Sequence, residues 1–230
     1  MEIEGLLSAA KKEIDTELRR LLPAKGDLGK AMRYSVLAGG KRFRPFLCLA
    51  TAYVLKTKKE KVIPLACAVE LIHTFTLVHD DLPAMDNSDF RRGKPACHKV
   101  FGEAVAILAG DALNTLAFKV IADQPKASRE LATALLQVVE GQVQDIKSVN
   151  QKMTLVKQRR VHSWKTSALL KACVRGSAFI SGAKPAHIKA LTLYAEHLGL
   201  AFQITDGILD ATSTAAELGK PVGADMQKGF

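Results

Sequence analysis

The 230 residues predict an all-α fold. Apolar side chains recur at helical rather than strand spacing along almost the whole chain. Prolines and glycines sit between the apolar runs rather than within them. No alternating stretch flanked by turn dipeptides is present. The first run, residues 3–22, carries Ile3, Leu6, Leu7, Ile14, Leu18, Leu21 and Leu22, and Pro23 stops it. Residues 63–80 are apolar on every side, apart from Glu70, His73, two threonines and the polar end. A helix of that kind belongs in the centre of a helical protein. Further runs cover about 102–122, 128–148, 153–181, 185–210 and 213–217, with breaks at Pro125, Gly182, Pro185 and Pro221.

Composition narrows the functional classes. Hydrophobic residues make up 48% and charged residues 24%, which is ordinary for a globular chain. With no linker or internal repeat, residues 1–230 read as one domain. Four widely spaced cysteines (Cys48, Cys67, Cys97, Cys173) form no CxxC pair, so a disulfide framework or zinc site is not expected. No apolar run reaches the roughly 18 residues that span a bilayer, and the acidic start, Met1-Glu2-Ile3-Glu4, is not a signal peptide. The expectation is a cytoplasmic protein without membrane insertion. The net charge of +10 admits nucleic acid or a small polyanion. The basic residues are scattered, with three tyrosines and one tryptophan for stacking, so no nucleic acid is expected.

Two acidic constellations point to chemistry. Asp80, Asp81, Asp86 and Asp89 fall within ten residues at the end of the apolar helix. Acids there oppose the helix dipole and repel one another, a cost that a divalent cation offsets. Oxygen-only ligands suit magnesium, which keeps waters and shares its shell with phosphates. On a straight helix Asp80 and Asp86 would lie roughly 240° apart. Pro83 ends or kinks the run, so the chain can return Asp86 towards Asp80. Downstream, Asp206 and Asp210 stand at i and i+4 on one helix face, with Gln203 one turn earlier.

Cations stand where a diphosphate needs them. Gly39-Gly40-Lys41-Arg42-Phe43-Arg44-Pro45 reads as a flexible turn carrying Lys41 and Arg44, and Arg91-Arg92 follows the first acidic cluster. His73 lies two helical turns before Asp80 on the same stripe.

These motifs together resemble the trans-prenyltransferases, the short-chain isoprenyl diphosphate synthases, and bacterial farnesyl diphosphate synthases above all. The resemblance runs in order through Gly39–Pro45, the DDxxxxD motif Asp80–Asp86, Arg91-Arg92-Gly93, Gly110-Asp111, Lys165-Thr166, Phe202-Gln203 and Gly219-Lys220. It implies the type I isoprenoid synthase fold, a helical bundle around a deep central cavity. It also implies magnesium ions held by Asp80, Asp86 and Asp206. Arg91, Lys165 and Lys220 would hold an allylic diphosphate. Lys41, Arg44, His73 and Arg92 would hold isopentenyl diphosphate. Lys165, Thr166 and Gln203 would stabilise an allylic cation. Phe75 and Thr76, five and four residues before the first aspartate, would set product length, with Phe75 stopping growth at farnesyl. A homodimer is the implied assembly. Gly207 replaces the middle acid of the usual second motif, Phe230 stands where a lysine is usual, and the domain is expected to lack the closing C-terminal helices that the resemblance implies. A non-catalytic subunit that regulates a partner and a geranylgeranyl-length synthase are therefore the alternatives.

Overall fold

The computed structural model describes residues 3–148, 164 and 167–212. Its helices are α1 (Ile3–Leu21), α2 (Gly26–Val36), α3 (Phe43–Val54), α4 (Ile63–Asp80), α5 (Cys97–Phe101), α6 (Glu103–Val120), α7 (Pro125–Ser148), α8 (Ala168–Ile180) and α9 (Pro185–Thr212). The all-α expectation stands. The predicted runs at 3–22, 102–122, 128–148 and 185–210 become α1, α6, α7 and α9. Only the later part of 153–181 is described, as α8, and residues 213–217 lie outside the described residues.

The central placement of residues 63–80 is also borne out. Leu65 to Ile72 are consecutively buried, and α4 packs against α1, α2, α3, α6 and α8. Burial on all sides is what an all-round apolar helix requires, because no face of it gains by meeting water. Its most extensive neighbour is α6, whose inward stripe is small: Ala106, Ala109, Gly110, Leu113 and Ala117. A methyl group at Gly110 would collide with the His79 ring, so the bare backbone is what lets α6 approach the end of α4 closely.

Two readings need correction. The segment between Pro23 and Ile63 is mostly helical (α2 and α3), and the supposed flexible turn includes the first turn of α3, with Arg44 on it. Pro45 suits that position, where a missing N–H costs little. Short glycine-interrupted helices give weak periodic signals. Secondly, Phe90–Arg91 pairs antiparallel with Lys94–Pro95. Arg92 and Gly93 form its two-residue loop with φ of 55° and 74°, the positive pair a type I′ hairpin requires. Strands of two residues are too short to show alternation.

Candidate active site

The end of α4 builds the acidic side. After Asp80 the chain turns through Leu82 and Pro83, and the Asp86 N–H donates to the Asp80 carbonyl at 2.9 Å. The N–H groups of Met85 and Asn87 bond Leu82 O at 2.9 and 3.1 Å. Asp86 thus returns to Asp80, as the proline-break argument requires. Asp81 does something else. It is buried, and Arg91 grips both its oxygens, with Nε at 3.0 and 3.1 Å and Nη2 on Oδ1. Asp81 therefore anchors Arg91, whose guanidinium remains within the fields of Asp80 and Asp86. Asp89 points to its own partner, Lys99 Nζ at 2.7 Å.

Among the described residues no three His, Cys, Asp or Glu side chains form a ready cage for a metal. Half-buried Asp80 and exposed Asp86, on one tight turn, make a two-carboxylate donor set. That set fits magnesium, which takes one or two carboxylates and fills its shell with water and phosphate oxygens.

The basic side forms behind this turn. The left-handed backbone at Arg92 sends the two neighbouring arginines apart: Arg91 to Asp81, and Arg92 to the Gly39 carbonyl through Nη1. Gly40 has φ 119°, and a Cβ there would meet the Arg92 guanidinium carbon at 2.8 Å, so glycine leaves space for this cation. Arg44 donates to His73 Nε2 at 3.4 Å. Loss of water around the His73 ring, then the fields of Arg44, Arg92, Arg42 and Arg91, hold its pKa well below the usual 6.5. Burial also pushes Arg92 down, with Arg42, Arg91 and Arg44 adding to it against the opposing Glu70. The pocket carries more positive charge than its own carboxylate balances, which is the electrostatic character of an anion site.

His73 supplies a pH prediction. Its folded pKa is depressed, so below about 6.5 the unfolded chain takes up a proton that the folded one refuses. Stability should therefore fall as the pH drops through that value, with a slope from this residue of at most about 1.4 kcal/mol per pH unit. Urea unfolding between about pH 5 and 7.5 checks this. His73→Asn should show a shallower loss than the parent.

Phe75 packs edge-on against His79, with ring centroids 5.0 Å apart, and His79 Nε2 donates to the Ile107 carbonyl of α6 at 3.0 Å. Thr76 turns its hydroxyl back to the His73 carbonyl at 2.9 Å. Lys41 is exposed at the mouth of the basic loop. The backbone of Gln203 and Asp206 is helical within α9, and their side chains lie outside what is described. One residue earlier, Phe202 stacks on Phe43 at the start of α3, with centroids 6.5 Å apart, so this stretch of α9 meets the helix carrying Arg44. Lys165, Thr166 and Lys220 lie outside the described residues, as does Phe230.

Two groups escaped sequence reasoning. Arg42, Glu70 and Asp15 form a buried ion network behind the basic pocket; Glu70 stood out only as a polar exception on α4. Gln142 and Asp145 are each 8% exposed on α7, and among the described residues neither polar atom of the Gln142 amide has a hydrogen-bond partner. Their Gln-x-x-Asp spacing repeats that of Gln203 and Asp206, a signal that was available.

An acidic turn backed by a cation-rich pocket, at one end of an all-α bundle, defines a helical protein built to handle polyanions. Comparison with known proteins identifies which kind. Residues 26–230 match the polyprenyl synthetase family. Farnesyl diphosphate synthase of Geobacillus stearothermophilus is 43% identical over 98% of this chain and 81% of its own length. The crystal structure of a geranyltranstransferase from Thermotoga maritima superposes with a TM-score of 0.84 at 35% identity, covering 97% of this chain and 84% of that one. Geranylgeranyl pyrophosphate synthetase from Pyrococcus horikoshii gives a TM-score of 0.89 at 36% identity, over 98% and 72%. The chain belongs to the polyprenyl synthetase family.

Proposed function

We propose that this chain, as one domain of residues 1–230, condenses isopentenyl diphosphate with dimethylallyl or geranyl diphosphate, head to tail, releasing pyrophosphate and forming farnesyl diphosphate. The observation that carries the reading is the division of charge around the end of α4. Asp80, Asp86 and Arg91 lie on one side, and Arg44, His73 and Arg92 on the other. A terpene cyclase, with a single diphosphate to hold, has no use for the second pocket.

Asp80 and Asp86, with Asp206 from α9, would hold magnesium. The metal supplies electrostatic stabilisation of a departing pyrophosphate. Arg91, oriented by Asp81, adds a planar cation for the same allylic diphosphate, with Lys165 and Lys220 as further ligands. Lys41, Arg44, His73 and Arg92 bind isopentenyl diphosphate. Neutral His73 accepts from Arg44 rather than adding charge, so it fixes the direction of that guanidinium. Thr166, Gln203 and the Lys165 carbonyl would stabilise the allylic cation by their dipoles; the double bond of isopentenyl diphosphate would attack it, and the released pyrophosphate would take the proton lost from the condensed cation. No protein nucleophile is needed. The pocket beside Asp81, Thr74 and Tyr34 is only about 30 Å³, too small for this role.

Phe75 closes the cavity at farnesyl length, braced by His79. Phe75→Ala should shift the major product from C15 to C20 or longer, read by chromatography of dephosphorylated products. An unchanged distribution would remove Phe75 as the stop. A native C20 product would favour the geranylgeranyl alternative.

A homodimer belongs to the same proposal. It is supported by Leu136, Val139, Val143 and Ile146, an apolar stripe along α7 that is exposed among the described residues. Sedimentation equilibrium should give about twice the 24.9 kDa chain mass. Among the described residues no helix is long and apolar enough to cross a membrane. A cytoplasmic location suits the water-soluble substrates.

The function is tested with magnesium, geranyl diphosphate and isopentenyl diphosphate. Farnesyl diphosphate is the expected product. Activity in Gly207→Asp but not in the parent would assign the defect to the second acidic motif. Inactivity of both would favour the regulatory-subunit reading.

A further inference from the structure

Among the described residues, the most deeply buried charges lie outside those assigned to substrate. Arg42 and Glu70 are each 2% exposed. Every arm of the Arg42 fork is used: Nη1 donates to Glu70 Oε1 at 2.6 Å, Nε to Asp15 Oδ1 at 2.8 Å, and Nη2 to the Val36 carbonyl at 2.6 Å. Burial alone would raise the Asp15 pKa, but hydrogen bonds from Lys11 and Arg42 outweigh it and hold the carboxylate ionised. The same Glu70 oxygen faces a second guanidinium, Arg92 Nη2, at 3.9 Å. One carboxylate thus stands between a structural arginine and a proposed substrate arginine, and it is shared unequally.

Buried ion pairs seldom add net stability, because desolvation cancels most of the attraction. What this network does is fix geometry. Arg42 sits at φ 51° between Lys41 and the first turn of α3, so clamping its side chain fixes the backbone that carries Lys41 and Arg44. Glu70 lies close enough to steer Arg92, while its shorter bond to Arg42 leaves much of the Arg92 charge for an anion. Asp15 on α1 is a remote member of the network: among the described residues it touches no proposed substrate ligand and reaches the pocket through Arg42.

We infer that Asp15 and Glu70 are positioning residues for the isopentenyl diphosphate pocket, holding Lys41 and Arg44 through the Arg42 fork and, from Glu70 directly, Arg92. This rests on the assignment of that pocket to isopentenyl diphosphate.

The test uses the full chain with Asp15→Asn and the isosteric Glu70→Gln, each checked for native circular dichroism and melting temperature. The KM for isopentenyl diphosphate should rise about tenfold, the scale of one weakened charged hydrogen bond, with the KM for geranyl diphosphate and kcat changed less than about twofold. Glu70→Gln covers the case in which the Asp15 variant fails to fold, and the reverse. A lowered melting temperature with both KM values unchanged, or both raised equally, would overturn the inference, since a merely structural network has no preference between substrates. If the parent makes no product, the proposed activity has failed, and the positioning claim is judged separately with inorganic pyrophosphate by calorimetry. Weaker binding by Asp15→Asn than by the parent supports positioning; equal affinity, or no binding by either, overturns it.

Discussion

Asp80→Ala should lower the condensation rate by about 10³-fold while leaving the fold intact. The rate loss follows from removing one of two carboxylates on the turn that would hold magnesium, at a site where charge develops on a departing pyrophosphate. The stability change should be small. Asp80 ends α4, so its removal relieves about 0.3–1 kcal/mol of repulsion from the negative pole of the helix but gives up its attraction to Arg91. Loss of rate with little change in melting temperature is the mark of a residue kept for chemistry. Asp81→Ala is the informative neighbour. It strips a buried anchor from Arg91 and should cost stability and activity together. Thermal melts beside steady-state rates separate the two aspartates. Equal behaviour of the two variants would contradict their different assignments.

Arg42→Met should be the most destabilising substitution of those considered. It leaves Glu70 buried without its nearest counter-charge and removes a bond to Asp15, a loss on the order of 3–5 kcal/mol. For a chain of this size that lowers the melting temperature by about 10 °C. The double variant Arg42→Met, Glu70→Leu should recover most of the loss, because an apolar pair at such a site is often as stable as the ions it replaces. Calorimetric melting of the parent, the two single variants and the double variant measures the coupling. Additive losses would show that Arg42 and Glu70 do not depend on each other.

The contrast between these residues explains what the sequence could reveal. The fold class was legible because α4, α6, α7 and α9 are long and periodic, and the all-round apolar character of α4 announced its central place. The return of Asp86 to Asp80 was legible from Pro83, since a proline limits what the preceding residues can do. The α2–α3 region was not: its signals are short and broken by glycines, and its helices are held by α4, α6 and α8 rather than by local preference. The divergence of Arg91 and Arg92 depends on one positive φ, which adjacent identical letters conceal. Arg42 looked like another member of a basic loop, although it is the arginine turned inward. Only the positions of Asp15 and Glu70, 27 residues before it and 28 after, distinguish it from Arg44.

The central claim is that one chain brings two diphosphates to the end of α4. It is tested most directly by pyrophosphate release in magnesium with each substrate alone and with both. The account predicts release, one pyrophosphate per farnesyl diphosphate formed, only when geranyl and isopentenyl diphosphates are present together. Release from geranyl diphosphate alone at the same rate, or none under any of the three conditions, would contradict it.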